Sequence, residues 1–187
     1  MKIVALTAIM MTAPGSAACA GLGVPPVSPK VAVCTNVLRR EVGRAKMMTG
    51  EMFGRIGVKL EWYLRECPPG ALRVSLSTDT PTDLMPGALA YALPYEGTHI
   101  VVFWDRVQDT IDRSHWSELL AHVFAHEITH ILERINRHSG SGIMQAHWSA
   151  AEITNLAHRP LRFAPEDMDL IYRGLAQYAV MQGPDQD

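Results

Sequence analysis

The first clear pattern in the chain is an apolar stripe at three- and four-residue spacing that follows Thr35. Such spacing puts the apolar side chains on one face of an α-helix. Gly57, directly after the stripe, is typical of a helix C-terminus because glycine adopts left-handed backbone angles cheaply. The pattern therefore predicts an amphipathic helix from Thr35 to Gly57 with this buried face: Leu38, Val42, Ala45, Met48, Met52 and Ile56.

Alternating and continuous apolar runs then predict a sheet. Residues 58–62 and 72–76 alternate apolar with polar positions, as strands buried on one face do. A loop marked by Pro81, Pro86 and Gly87 separates them from a short apolar run at 88–93. The run His-Ile-Val-Val-Phe-Trp at 99–104 is the strongest candidate for a fully buried strand.

The C-terminal half returns to helical spacing. Ser114 is a suitable N-cap for a long apolar helix that extends to Ile135. Ser149 and Glu152 form a capping box before a short third helix, and Pro165 opens a fourth helix with an acidic first turn. A helix, then several strands, then more helices indicate an α+β fold.

Length and composition fit one globular domain. The chain has 187 residues, of which 48% are hydrophobic and 19% charged, enough to bury a core. The formal net charge of -2 gives no basic footprint, so no nucleic-acid partner is expected. No apolar run reaches the roughly 18 residues that a membrane span requires, so no span is expected either.

The first twenty residues carry the features of a secretory signal peptide. Lys2 precedes an apolar run at 3–11, and Ala18 and Ala20 provide an Ala-x-Ala cleavage site. We therefore expect residues 1–20 to be removed and the protein to be secreted or periplasmic; a lipoprotein anchored through Cys19, or a buried N-terminal element, are the alternatives. The expected mature chain has an extended, proline-rich lead-in at 21–33, one domain at 34–180 and a tail at 181–187.

Export leaves two cysteines, Cys34 and Cys67, in an oxidising compartment. An even pair there predicts a disulfide, which would join the start of the first helix to the segment after the first strand. The alternative is two buried free thiols. The spacing of the pair matches no zinc or redox cysteine motif.

The residues that carry chemistry lie in the second predicted helix, as His-Glu-Ile-Thr-His at 126–130. Residues four apart lie one turn above each other on the same helix face, so both imidazoles can reach one ion. Zinc suits neutral imidazole ligands. Glu127 is then suited to accept a proton from an attacking water. The sequence predicts a zinc site, against the alternative of a polar helix with two unrelated histidines.

A catalytic zinc site usually has three protein ligands, so a third must come from elsewhere. His138, at the expected helix exit and just before a Ser-Gly-Ser-Gly turn, is the candidate that we favour. Glu133, seven residues after His126, is an alternative, although we expect it to be exposed to solvent. His147 is another, better suited to a cleft contact with substrate. Packing or surface roles are expected for the other histidines considered: His122, His99, His115 and His158.

The stretch from His126 to Trp148, HEITHILERINRHSGSGIMQAHW, resembles the active-site segment of metzincin-type zinc metalloproteases. It is more similar still to small predicted secreted bacterial zinc proteases, which share the HExxH helix, a later His-Ser and a Gly-[Ile/Leu]-Met-x-Ala-x-Trp ending. The resemblance implies a zincin fold: an N-terminal helix and small twisted sheet, then the active-site helix, a Met-turn and C-terminal helices. It also implies Glu127 as general base, Met144 as the Met-turn residue that forms a floor under the metal, and three zinc ligands: His126, His130 and His138.

The chain departs from the metzincin pattern HExxHxxGxxH at the helix exit. Where that pattern has glycine and the third ligand, this chain has Glu133 and Asn136, and its third histidine comes two residues later, as in the bacterial proteases. Those proteases often have glycine where this chain has Arg134. Asn136 tolerates left-handed angles and is expected to make the turn instead. The similarity extends more loosely over residues 34–180.

These patterns together predict an exported zinc peptidase in which Glu127 moves the proton and no covalent intermediate forms. The expected partner is a peptide or protein substrate, paired as an extended chain with an exposed strand edge at 99–104 or 88–93. Two other hypotheses are carried beside it. One is a non-catalytic zinc protein whose histidines stabilise the fold or bind a partner; the other is a zinc amidase acting on cell-wall peptides.

Overall fold

A computed structural model describes residues 28–81, 87–93 and 98–182 of the chain, with side chains up to residue 177. The expected signal peptide, Cys19, most of the lead-in, Pro86 and residues 183–187 lie outside the described residues. In the described ranges, none of the helices is long and apolar enough to cross a membrane.

The described strands form one five-stranded sheet. They are β1 (Lys30–Thr35), β2 (Lys59–Leu64), β3 (Leu72–Ser77), β4 (Ala90–Ala92) and β5 (His99–Phe103). Their order across the sheet is β2-β1-β3-β5-β4, and neighbours are parallel except β4, which runs antiparallel to β5. Of the described strands, β2 and β4 therefore lie at the two edges, so the run at 88–93 forms an edge strand and the buried run at 99–104 lies inside the sheet.

The described part of the chain also contains five α-helices. They are α1 (Arg40–Gly54), α2 (Trp104–Thr110), α3 (Trp116–Glu133), α4 (Ala150–Asn155) and α5 (Pro165–Gln182). The capping box predicted at Ser149 is present, because its side chain accepts from the Glu152 amide and the Glu152 side chain returns to the Ser149 amide. A mixed sheet, with α1 between its first two strands and the other four helices after its last strand, confirms the α+β class.

β1 lies where the sequence predicts the end of a lead-in and the start of a helix. Val31 and Val33 are buried, and β1 pairs with both β2 and β3. α1 accordingly begins at Arg40 rather than Thr35, and Leu38, predicted on the buried face, is 67% exposed. Two alternating valines beside a proline-rich stretch are too few to produce a strand pattern.

The disulfide between Cys34 and Cys67 is confirmed, with the two Cα atoms 5.5 Å apart. Cys34 lies in β1, not at the start of a helix, so the bond joins an interior strand to the segment after β2. The prediction was wrong about the first of these two locations because it missed β1.

α2 is a helix that the sequence did not predict. It starts at Trp104, the last residue of the predicted strand, and continues to Thr110, where the sequence analysis predicts neither helix nor strand. Seven residues with only Trp104 and Val107 buried give no readable helical period. After one turn of 3-10 helix at Arg113–His115, α3 begins at Trp116, two residues later than predicted from Ser114.

α3 runs through the core, and all of its residues except Trp116 and His126 are buried. It packs against α1, α5, β4 and β5. Gly174 allows α5 to approach closely, since a Cβ built on it would lie 1.7 Å from the Leu132 carbonyl oxygen. The helix that carries the HExxH sequence is therefore fixed on several sides.

Candidate metal centre and cleft

His126 and His130 lie one helical turn apart on α3, as their spacing predicts. Their Nε2 atoms are 3.0 Å apart, and their ring centroids are 4.7 Å apart. The Nδ1 atom of His126 lies 2.8 Å from the Ile143 carbonyl oxygen, and that of His130 lies 3.3 Å from the Ile135 carbonyl oxygen. Each ring is thus oriented by a backbone group behind it.

These carbonyls determine which nitrogen of each ring carries the proton. A carbonyl oxygen only accepts hydrogen bonds, so each Nδ1 must be the donor. Burial is the main cause that lowers the pKa of His126 to about 3 and that of His130 to about 4, so both rings are neutral at pH 7. A neutral ring has one N–H, which leaves both Nε2 atoms unprotonated.

Two unprotonated nitrogens that face each other at 3.0 Å repel unless a cation lies between them. Two nitrogens at the zinc–nitrogen distance of roughly 2.0–2.1 Å are about 3.3 Å apart at a tetrahedral angle. The observed separation therefore fits two ligands of one metal ion. Nδ1–H bonds to backbone carbonyls are the usual support for such ligands.

His138 completes the group from the loop after α3. Its ring centroid lies 5.3 Å from that of His126 and 5.1 Å from that of His130. One ligand atom from each of the three histidines lies within 4.8 Å of the other two. Burial, then the nearby His147 and Arg137, lower the pKa of His138. These three histidines can bind a metal ion.

The turn that brings His138 back begins at Arg134, not at Asn136 as predicted. Arg134 caps α3 in the left-handed conformation, with φ 55° and ψ 29°, and its amide donates to the His130 carbonyl. The left-handed turn that was expected at Asn136 is therefore made by Arg134, a residue with a Cβ.

Met144 is fully buried in the loop that returns toward α3. The Met144 carbonyl accepts from the Ser139 amide at 2.7 Å, and the preceding carbonyl, of Ile143, is the one that orients His126. Gly142 has φ 81° and allows the Ile143 amide to reach the Arg162 carbonyl, at 3.0 Å. Trp148 packs edge-on to His126, with ring centroids 5.8 Å apart.

Glu127 lines the same cleft as the three histidines. Burial raises the pKa of its carboxyl to about 8. Without a neighbouring cation this group therefore holds its proton at neutral pH, and a positive charge in the site would favour its ionised form. A carboxyl whose pKa lies near neutral pH is suited to proton transfer.

The remaining histidines differ from one another in burial and in hydrogen bonding. His122 is fully buried, with Nδ1 2.7 Å from the Glu118 carbonyl and Nε2 accepting from the Leu161 amide at 3.1 Å. Both nitrogens are used, which fits the predicted packing role. His147 is exposed in the cleft, while His99 and His158 are exposed and His115 is half-buried.

Glu133 lies outside the group of three histidines and is buried, so the expectation that it is exposed to solvent was wrong. The approach of α5 accounts for this, because a Cβ on Gly174 would lie only 3.6 Å from the Glu133 Cα. The Glu133 carboxylate is 3.7 Å from Arg137. Burial is the main cause that raises its pKa to about 7.

Sequence reasoning missed Asp167, which is fully buried below the His138 loop. Its carboxylate accepts from Arg137 at 2.8 Å, from the Ser139 hydroxyl, and from the Ala164 amide at 3.0 Å. The only sequence signal was its position in the first turn of a helix, which an exposed acidic residue would share.

The cleft beside the histidines has a volume of about 380 Å³. It lies between the edge strand β4 and α3, and the segment after Met144 contributes further residues. Apolar side chains make up much of its wall: Leu89, Ala90, Ala92, Phe103, Val123 and Ile153. Polar groups are concentrated near the histidines, where Asn136, Gln145 and His147 join them.

No protein-family model matches this chain, and no curated protein is significantly similar to it. The class that the fold and site define is therefore an α+β protein with a three-histidine group, able to bind a metal, at the wall of an open cleft.

Proposed function

We propose that this protein is an exported zinc-dependent peptidase of the metzincin-like kind. One observation carries the proposal: the unprotonated Nε2 atoms of His126 and His130 face each other at 3.0 Å beside His138 and a buried Glu127. Within the described residues the group consists of three histidines, and three protein ligands are typical of catalytic zinc sites, whereas structural sites are usually closed by four. This favours an enzyme over a purely structural metal protein.

The arrangement of the chain supports the resemblance to metzincins. The HExxH helix follows a mixed sheet with an antiparallel edge strand, and a buried methionine lies in the loop after the third histidine. The similarity of the stretch from His126 to Trp148 is accompanied by the contacts that the implied roles require, since Ile143, next to Met144, orients the first ligand.

A zinc ion held by His126, His130 and His138 would supply Lewis-acid activation of a water and polarise the scissile carbonyl. Glu127 accepts the proton of the attacking water on its carboxylate and passes it to the leaving amine. The carbonyls of Ile143 and Ile135 orient the two helix histidines, and burial keeps both rings neutral.

The cleft favours an extended peptide as substrate. Ala90, Tyr91 and Ala92 of β4 line it, and in the described residues β4 pairs with β5 on one side only. The backbone groups on the other side of β4 are therefore suited to pair with an added strand. The apolar wall between Leu89 and Val123 favours an apolar side chain next to the cleaved bond.

The disulfide supports export. Disulfides persist mainly in secreted and periplasmic proteins, because the cytosol keeps thiols reduced. A bond between Cys34 and Cys67 thus agrees with the signal peptide expected at residues 1–20.

Glu127→Gln tests the proposal most directly, because it keeps the side-chain volume and removes the base. With the purified protein and a broad peptide library, we expect hydrolysis to fall by at least ~100-fold while zinc content stays near that of the wild type. The matched control is Glu118→Gln, a buried glutamate on the same helix that does not line the cleft. It should leave hydrolysis within about twofold.

Other outcomes separate the competing functions. Full activity in Glu127→Gln would exclude Glu127 as the base and make Glu133→Gln the next variant to measure. A wild-type protein that holds zinc but cleaves no peptide in the library, and none of a cell-wall peptide set, would contradict the enzyme hypothesis and favour a non-catalytic zinc protein. Cleavage of the cell-wall set alone would favour the amidase.

A further inference from the structure

We propose that Asp167 is a positioning residue for the third metal ligand: it binds the side chains of the residues on both sides of His138 and thereby sets the affinity of the site for metal. The inference rests on the metal site of the proposed function. It concerns a residue remote from HExxH in the sequence, on a different helix.

Asp167 bonds to the two residues that flank His138. Its Oδ1 accepts from Arg137 Nη2 at 2.8 Å and from the Ser139 hydroxyl, and its Oδ2 accepts from the Ala164 amide at 3.0 Å. The Asp167 side chain has no exposed surface, and that of Arg137 is 27% exposed. Bonds between a buried carboxylate and charged donors are short and strong, so they restrict the loop tightly.

His138 needs such support more than the other two ligands. His126 and His130 belong to a buried helix, and a backbone carbonyl orients each ring. His138 lies in a loop and is exposed, and within the described residues no hydrogen bond fixes its ring. The position of its ring therefore follows from the position of its backbone.

Two further backbone bonds fix the loop, one within the loop and one to the segment just before α5. The Ser139 amide donates to Met144 at 2.7 Å, and the next part of the loop bonds to Arg162 through the Ile143 amide at 3.0 Å. Arg162 is close in sequence to Ala164, whose amide Asp167 accepts. Asp167 thus connects the His138 loop and the start of α5, the two segments whose relative position sets the distance from His138 to α3.

The test measures zinc affinity of the full mature protein by competition with a chromophoric chelator. Asp167→Asn keeps the shape but removes the charge that Arg137 and Ser139 share, and we expect zinc to bind about 10–100-fold more weakly, as for other residues that orient ligands. Asp169→Asn, an exposed aspartate on the same helix, is the matched control and should stay within about twofold.

A double-mutant cycle distinguishes positioning from a general structural role. If Asp167 acts through His138, Asp167→Asn should weaken zinc binding by less than about threefold in a His138→Ala background, because the ligand it positions is already gone. Cobalt substitution adds a spectroscopic readout: the visible bands of the Asp167→Asn site should move toward those of His138→Ala. Equal losses in both backgrounds would overturn the inference.

Ser139→Ala keeps the inference testable if Asp167→Asn does not fold. It removes one of the bonds to Asp167, and we expect a loss of about 3–10-fold in zinc affinity. Wild-type affinity in that variant, or in a folded Asp167→Asn, would overturn the inference while leaving the proposed function intact. A wild-type protein that binds no zinc in the competition would instead overturn the proposed function together with it.

Discussion

Glu127 and the two helix histidines share one environment, which disfavours their charged forms alike. Burial raises the pKa of Glu127 to about 8 and lowers those of His126 and His130 to about 3 and 4. Near pH 7 the metal-free site therefore holds a neutral acid beside two neutral bases. A bound cation changes this balance because it favours the carboxylate and uses the free nitrogens.

This environment makes the stability of the metal-free protein depend on pH. The folded protein holds the Glu127 proton more tightly than the unfolded chain does, because burial raises the pKa of this carboxyl to about 8. The contribution of that proton to the free energy of unfolding is therefore complete below about pH 4.3. It is lost as the pH rises through about 8. Glu127→Gln does not titrate, so its stability relative to the wild type should increase from pH 5 to pH 8. Thermal unfolding in the presence of a chelator measures this difference in stability, because each kcal/mol shifts the midpoint temperature Tm by about 2–4 °C.

Because the same histidines and Glu133 titrate in both proteins, their contributions cancel in that comparison. Excess zinc should reduce the difference at pH 8, since a cation stabilises the ionised Glu127 of the wild type. A difference between the two proteins that does not change with pH would contradict the assignment of Glu127 to a buried site.

Among the residues of the candidate site, those that lie close together in the sequence could be predicted from it. HExxH contains two of the proposed ligands, His126 and His130, one helical turn apart, so the helical period is enough to place them together. Glu127, the proposed base, lies between them in the sequence. Glu133 and Asp167 depend on contacts that the sequence does not show. The first is buried because α5 approaches at Gly174, and the second bonds to Arg137 and Ser139 from another helix.

Among the elements, the end of α3 determines whether His138 can return to the metal centre. Arg134 adopts φ 55° there, a left-handed conformation that costs residues with a Cβ roughly 1–2 kcal/mol. The helix predicted to reach Ile135 thus stops at Glu133, and the chain turns before Asn136.

Arg134→Gly should therefore stabilise the protein relative to Arg134→Ala by about 1 kcal/mol, because both variants lose the side chain and only glycine loses the strain. Urea unfolding of the two variants measures the difference, and the Arg-to-Ala comparison gives the side-chain contribution separately. Equal stability of the alanine and glycine variants would mean that the left-handed turn is not formed at this position.

Elements with a long apolar period, a continuous apolar run or a clear terminal signal were predictable, whereas β1 and α2, which lack all three, were not. α3 and α5 present apolar residues over several turns, whereas β1 shows two alternating valines and α2 two buried residues. β1 and α2 owe their conformation to neighbours, since β1 pairs on both sides and α2 follows directly from an interior strand. Local sequence carries little of that information.

For the whole molecule, the disulfide is a constraint independent of the metal centre. It joins β1 to the segment after β2 across a sequence separation of 33 residues, for which the chain-entropy model gives about 3–4 kcal/mol. The double variant Cys34→Ala/Cys67→Ala should lose that much free energy of unfolding in urea, while its zinc affinity stays within about threefold. The three histidines lie on α3 and the loop after it, away from both cysteines in the chain.

Reduced wild-type protein is the matched control, because it loses the bond without losing the sulfur atoms. If the free energy of unfolding falls by less than about 1 kcal/mol in both the double variant and the reduced wild type, the disulfide does not constrain the unfolded chain. A large loss of zinc affinity in either would show that the sheet and the metal centre are coupled.

The three histidines, in contrast to the two cysteines, come from one short stretch of chain between 126 and 138. A metal ion there joins residues that are neighbours even in the unfolded chain, which consequently keeps part of its affinity for the ion. Since a ligand stabilises a fold only through the difference between its affinities for the folded and unfolded states, metal at this centre does little to hold distant segments together. Under the proposed function, loss of the metal ion would therefore reduce activity while leaving the free energy of unfolding nearly unchanged.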